Sequence, residues 1–236
     1  MAGVTAAATP IVALDVASSG DALALVRRLG ERCRFYKIGS VLFTREGPSI
    51  VAAVRAEGCD VFLDLKFHDI PNTVREAARA AASLGVRLVT VHASGGAEML
   101  RAAVEGAGPA CGVLGVTVLT SLDSAALGSA WGRDDLLVDH EVLRLAGLAA
   151  AAGAHGVVCS GREAARVHAA FGSELALLVP GIRLSGGDAH DQARTSTPAA
   201  AAAAGARYLI LGRTVTGASD PVEAMRRVNE ELGLIT

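Results

Sequence analysis

Aromatic residues are scarce in this chain, with five Phe, two Tyr and one Trp among 236 residues, and no run of basic residues occurs. Nucleic-acid recognition draws on basic patches and stacking rings, so a chain of net charge −2 is not expected to bind nucleic acid. Long apolar runs are also missing. The nearest approach, Leu145 to Cys159, is mostly Ala and Gly and contains His155, whereas a membrane helix needs about 20 predominantly apolar residues. No membrane association is expected. Cysteine occurs only singly, at Cys33, Cys59, Cys111 and Cys159. That spacing gives neither a Cys-x-x-Cys site nor a disulfide scaffold, so the four read as small buried hydrophobes. The six histidines form no His-x-x-x-His pair, so no metal site is signalled. Residues 1–9 are small and uncharged and lack the basic start of a secretory signal. They read as a disordered tail before a domain over 10–236, with the cytoplasm as the expected location.

What is present is alternation. Apolar strand candidates recur at Ile11–Val16, Arg34–Gly39, Asp60–Lys66, Arg87–His92, Gly112–Thr120, Gly156–Ser160, Leu175–Pro180 and Tyr208–Gly212. Helical stretches fall between and after them, near Asp21–Cys33, Thr44–Glu57, Thr73–Leu84, Ala97–Ala107, Asp139–Ala152, Glu163–Phe171, Pro198–Ala204 and Pro221–Leu232. Eight β-α units with no linker, and no dinucleotide glycine fingerprint after the first strand, predict a single (β/α)₈ TIM barrel in the α/β class.

The most informative stretch is Asp64-Leu65-Lys66-Phe67-His68-Asp69-Ile70-Pro71-Asn72-Thr73. Strand alternation puts Phe62, Asp64 and Lys66 on one face, so two opposite charges leave the strand as neighbours. Pro71, Asn72 and Thr73 then end the strand and open a helix. A lysine flanked by acids is most often a solvated surface network. Here an apolar strand precedes it, and a lysine is costly to bury unless carboxylates surround it. In a barrel the carboxyl ends of strands form the active-site mouth. Asp15, Lys37, Asp64 and Lys66 fall together at three neighbouring strand ends, and Thr120-Ser121, Pro180 to Arg183, and Gly212-Arg213 end later ones. After the last two strands, Gly181, Gly186 and Gly187 let backbone approach an anion, and Arg183, Gln192 and Arg213 supply donors, as a phosphate site requires.

The ten-residue stretch resembles the signature of the orotidine 5′-phosphate decarboxylase family. Leu14-Asp15, Lys37-Ile38-Gly39, Leu119-Thr120-Ser121, Pro180-Gly181-Ile182-Arg183, Asp191-Gln192 and Gly212-Arg213 support the resemblance, in the family's order. It implies decarboxylation of orotidine 5′-phosphate to UMP without a cofactor or metal. Lys66 would donate the proton to C6, Asp64 would stand beside it, and Lys37 would hydrogen-bond Asp64 and the ribose. Asp15 would hold a ribose hydroxyl, Thr120 and Ser121 would sit by the pyrimidine, and Pro180 would line the substrate. Arg183, Gln192, Arg213 and the Gly212 backbone would grip the phosphate. Asp69 and Thr73 would reach the neighbouring subunit's site, which implies a homodimer. Two other readings are a Mg²⁺-dependent sugar-phosphate lyase or decarboxylase on the same barrel, which shares Asp-x-Lys-x-x-Asp, and a non-catalytic nucleotide-binding barrel. Phe67-His68 and Ile70 to Thr73 favour the nucleotide enzyme over the first, and a lysine set between acids argues against the second.

Overall fold

The structure is a computed structural model, which describes residues 8–184 and 195–234. Eight parallel strands close into a barrel in chain order, β1 pairing with both β2 and β8. The strands are β1 (Thr9–Ala13), β2 (Phe35–Gly39), β3 (Asp60–Phe67), β4 (Leu88–His92), β5 (Gly112–Val116), β6 (Gly156–Val158), β7 (Ala176–Val179) and β8 (Ala206–Leu211). The helices around them are α1 (Ser19–Leu29), α2 (Ser40–Glu46), α3 (Ser49–Ala56), α4 (Pro71–Ser83), α5 (Gly96–Ala107), α6 (Ser124–Trp131), α7 (Val138–Ala151), α8 (Gly161–Phe171), α9 (Pro198–Ala203), α10 (Arg213–Thr216) and α11 (Pro221–Glu231). The expected (β/α)₈ barrel is the fold.

Two apolar layers hold it together. Alternate strand residues turn inward, and Ile11, Phe35, Phe62, Leu88, Leu114, Leu178 and Ile210 fill the barrel interior. The intervening residues, among them Val12, Tyr36, Val61, Val89, Val113 and Leu209, pack outward under the helices. Burial on both faces explains why the strands read as nearly continuous apolar runs. Phe62 is 1% exposed, and truncating such a ring to Ala costs about 3–5 kcal/mol. The four cysteines are free and buried. Burial pushes the thiol of Cys33 up to about 11 and that of Cys159 up to about 12, so both stay protonated at neutral pH.

Helix starts follow local chemistry. Pro71, Pro198 and Pro221 each stand at the first helical position, where the missing N–H costs nothing. Ser160 and Glu163 form a reciprocal capping box on α8.

Several boundaries differ from the sequence reading. The stretch 44–57 is two helices, because Gly47 takes a positive φ of 64° and Pro48 follows it. The fifth strand ends at Val116 rather than Thr120, since its neighbours end level with it: Val116 pairs with His92 and with Val158, the last residues of β4 and β6. Helix α6, capped by Asp123, lies in a stretch the sequence left unassigned. Asn72 and Thr73 lie inside the first turn of α4, and Ile70 at its N-cap makes no side-chain cap bond. At the N-terminus, Ala8 is buried and β1 begins at Thr9, within the segment read as tail.

Candidate active site

The charged residues sit on top of the interior apolar layer, where the strands open. Lys37 lies beside Phe62 and Gly39 beside Asp64 in the β2–β3 register. β3 then departs from regular pairing: its register with β4 shifts between Leu63 and Phe67, and Lys66 takes a φ of 52°. Among the described residues Lys66 is the one non-glycine residue with positive φ, a conformation that costs about 1–3 kcal/mol and persists only where its surroundings enforce it. The Lys66 N–H donates to Thr90 Oγ1 at 2.9 Å.

One carboxylate organises the cluster. Asp64 Oδ1 accepts from Lys66 Nζ at 2.8 Å and from the Thr90 hydroxyl at 2.9 Å. Asp64 Oδ2 faces Lys37 Nζ at 3.8 Å, and Lys37 donates at 2.9 Å to Asp15 Oδ1. The side chains of Lys37 and Asp64 are 10% and 12% exposed, against 37% for Lys66 and 59% for Asp15. The buried middle of the chain therefore depends on its pairing, and its two ends can meet a ligand. Gly39 makes room for it, since a Cβ there would stand 2.9 Å from Lys37 Nζ.

These groups line one end of a cavity of about 330 Å³, a volume suited to a small-molecule site. Phe62, Val116, Val158, Leu178 and Ile210 form an apolar floor and wall, and Thr120 lines it as well. The other end is built by Pro180, Gly181, Arg183, Gly212 and Arg213. Gly181 has a φ of 77°, which only glycine adopts freely. Arg183 Nη1 donates to the carbonyl of Ile182 at 2.8 Å, and its buried Nε has no hydrogen-bond partner among the described residues. Burial, and then the charge of Arg213, lower the Arg183 pKa from its ordinary value. Two cations that repel each other beside a cavity favour an anion between them.

Of the expected site residues, Asp15, Lys37, Asp64, Lys66, Thr120, Pro180, Arg183, Gly212 and Arg213 line this cavity together. Ser121 is exposed and does not line it. Asp69 and Thr73 are exposed and outside it, with Asp69 Oδ1 accepting from the Ile70 N–H at 2.7 Å. Gln192, Gly186 and Gly187 lie outside the described residues. Sequence reasoning missed Thr90, although its place between Leu88 and His92 on the inward face of a strand was a signal. It also missed the pairing of the His68 and His92 rings, whose centroids are 5.4 Å apart. Burial, with the charges of His68 and Lys66, lowers the His92 pKa below 6.5 against the opposing effect of Asp64.

Residues 9–228 match the family described as Orotidine 5′-phosphate decarboxylase / HUMPS. The chain is 50% identical over 216 residues to the orotidine 5′-phosphate decarboxylase of Anaeromyxobacter sp. (strain K), covering 92% of this chain and 94% of that one. It is 48% identical over 228 residues to the enzyme of the same name from Halorhodospira halophila, covering 94% of each. The crystal structure of orotidine 5′-phosphate decarboxylase from Lactobacillus acidophilus superposes with a TM-score of 0.85 at 34% identity, over 96% of this chain and 99% of that one. The barrel, the charged cluster at its mouth and these likenesses agree, and the chain belongs to the orotidine 5′-phosphate decarboxylase / HUMPS family.

Proposed function

We propose that Lys66, held on Asp64, is the proton donor in a decarboxylation that uses only the protein's own side chains. The reaction is the conversion of orotidine 5′-phosphate to UMP and CO₂ in pyrimidine biosynthesis, the activity carried by the name of the relatives. The observation that carries the residue assignment is the sharing of the Asp64 carboxylate between Lys66 and Lys37 at one end of the cavity. Heterolysis of the C6–carboxylate bond releases CO₂ and leaves the electron pair in an sp² orbital that the ring delocalises poorly. Stabilising that charge calls for a preorganised cation. The ammonium of Lys66 supplies it, then transfers a proton to C6, and solvent restores the lysine.

The remaining roles follow position in the cavity and the family's pattern. That pattern alone assigns Ser121 and Gln192, since Ser121 does not line the cavity and Gln192 lies outside the described residues. Asp15 and Lys37 meet the ribose, Thr120 and the apolar wall meet the pyrimidine, and Arg183, Arg213 and the Gly212 backbone hold the 5′-phosphate together with Gln192. Ser121 completes the pyrimidine end from the loop after β5. The cavity carries the lysine–carboxylate cluster and the two arginines together, as a ligand with both a phosphate and a reacting ring requires.

The working unit we infer is a homodimer in which Asp69 and Thr73 complete the partner's site. Supporting this, Asp69 and Thr73 are exposed beside the mouth, and the apolar side chains Ile70 and Val41 stand 67% and 63% exposed at the ends of the neighbouring strands β3 and β2. No helix among the described residues is long and apolar enough to cross a membrane, and we assign the enzyme to the cytoplasm. The test is substrate choice: purified protein is expected to release CO₂ from orotidine 5′-phosphate and to leave hexulose and ketogulonate phosphates unchanged with or without Mg²⁺. Turnover of a sugar phosphate alone would overturn the reading.

A further inference from the structure

We propose that Thr90 is a positioning residue for proton delivery, its single hydroxyl setting both the backbone of Lys66 and the carboxylate on which the lysine rests. The inference rests on the assignment of Lys66 as proton donor. Thr90 lies mid-strand in β4, is 0% exposed and does not line the cavity. It therefore acts through its neighbours.

Its Oγ1 stands 2.9 Å from the Lys66 amide nitrogen and 2.9 Å from Asp64 Oδ1. The amide can only donate and the ionised carboxylate can only accept, so the hydroxyl accepts from the first and gives its proton to the second. The same Asp64 oxygen takes Lys66 Nζ at 2.8 Å. A closed circuit results, running from the Lys66 backbone through Thr90 and Asp64 to the Lys66 ammonium. Both ends of one residue are fixed by one hydroxyl.

The circuit falls where β3 slips out of register with β4 and where Lys66 adopts its left-handed backbone. Regular pairing is interrupted there, and the Thr90 side chain is what takes the Lys66 N–H. Removing the hydroxyl leaves that amide without its acceptor and strips Asp64 Oδ1 of one of two donors, leaving the carboxylate freer to turn toward Lys37. The ammonium then loses its aim at the reacting carbon. Groups that hold the ribose and phosphate keep theirs.

The experiment compares Thr90→Val, Thr90→Ala and Thr90→Ser in kcat and KM for orotidine 5′-phosphate and in affinity for UMP. Val preserves the shape and Ser preserves the hydroxyl, while Ser and Ala differ by one oxygen atom and keep the comparison alive if Val does not fold. With Val and Ala, kcat is expected to fall about 10- to 100-fold with KM and UMP affinity within about threefold of wild type. With Ser, kcat is expected within about threefold of wild type. Wild-type kcat in Ala or Val, a Ser variant as impaired as Ala, or a loss confined to KM overturns the role of Thr90. A wild-type protein that releases no CO₂ in the same assay overturns instead the reading on which it rests, and this inference with it.

Discussion

Asp64 Oδ1 lies 2.8 Å from Lys66 Nζ while the other oxygen of the same carboxylate faces a second lysine. The ammonium is thus held in place by a neighbour that cannot swing away without abandoning Lys37. A cation kept in place before the reaction stabilises charge that appears only in the transition state, and needs no rearrangement to do so.

Removing it separates binding from chemistry. Lys66→Ala is expected to lower kcat by at least about 10³-fold, since it deletes both the charge and the proton source. UMP affinity measured by calorimetry should change far less, because the phosphate and ribose contacts remain. Near-normal kcat in this variant would take Lys66 out of its role.

At the other end of the cavity, the partly buried Arg183 beside Arg213 is a poor place for anything except an anion. Arg183→Ala is expected to reduce kcat/KM by about 100-fold, the scale of a lost charge-assisted bond. Orotidine without its phosphate should be a far poorer substrate, partly rescued by added phosphite. Equal processing of nucleoside and nucleotide would contradict the assignment.

Shared sites can be tested by exchange. If Asp69 serves the partner's site, Lys66→Ala and Asp69→Ala homodimers are each nearly inactive, while a mixed dimer holds one intact site. Random reassortment makes about half the dimers mixed, so about a quarter of wild-type activity per site should return. Heterodimers that form without activity would place Asp69 in its own chain.

His92 gives a stability signature. Its folded pKa is lowered from 6.5, chiefly by burial, so below that value the unfolded chain takes up the proton first. Stability is therefore full above pH 6.5 and falls as the pH drops from 6.5 toward the folded pKa. Denaturant melts between pH 7.5 and 5 should show that decline, and His92→Gln should make it shallower. An unchanged slope would remove His92 as a contributor.

Much of this site was legible in the sequence because strand alternation is a strict rule. Alternation places Asp64 and Lys66 on one face, and Lys37 and Asp15 close the adjacent strand ends beside them. What escaped was set by three-dimensional pairing. The positive φ of Lys66 arises from a register slip between two strands, which no local pattern announces. Thr90 sits on the inward face of a strand, but its partners lie 24 and 26 residues away, so what it holds is set by tertiary contact. The early end of β5 reflects where its neighbours stop, whereas the break at Gly47-Pro48 has a local signal, a glycine at positive φ followed by proline.

In the mechanism proposed for Lys66 and Asp64, the protein's own side chains carry the chemistry without a metal ion. The direct measurement is kcat on orotidine 5′-phosphate after exhaustive treatment with EDTA, in metal-free buffer. Asp64 is already engaged by two lysines and Thr90, so CO₂ release is expected at the untreated rate, with no gain on adding Mg²⁺. Activity lost in EDTA and restored by Mg²⁺ would contradict it.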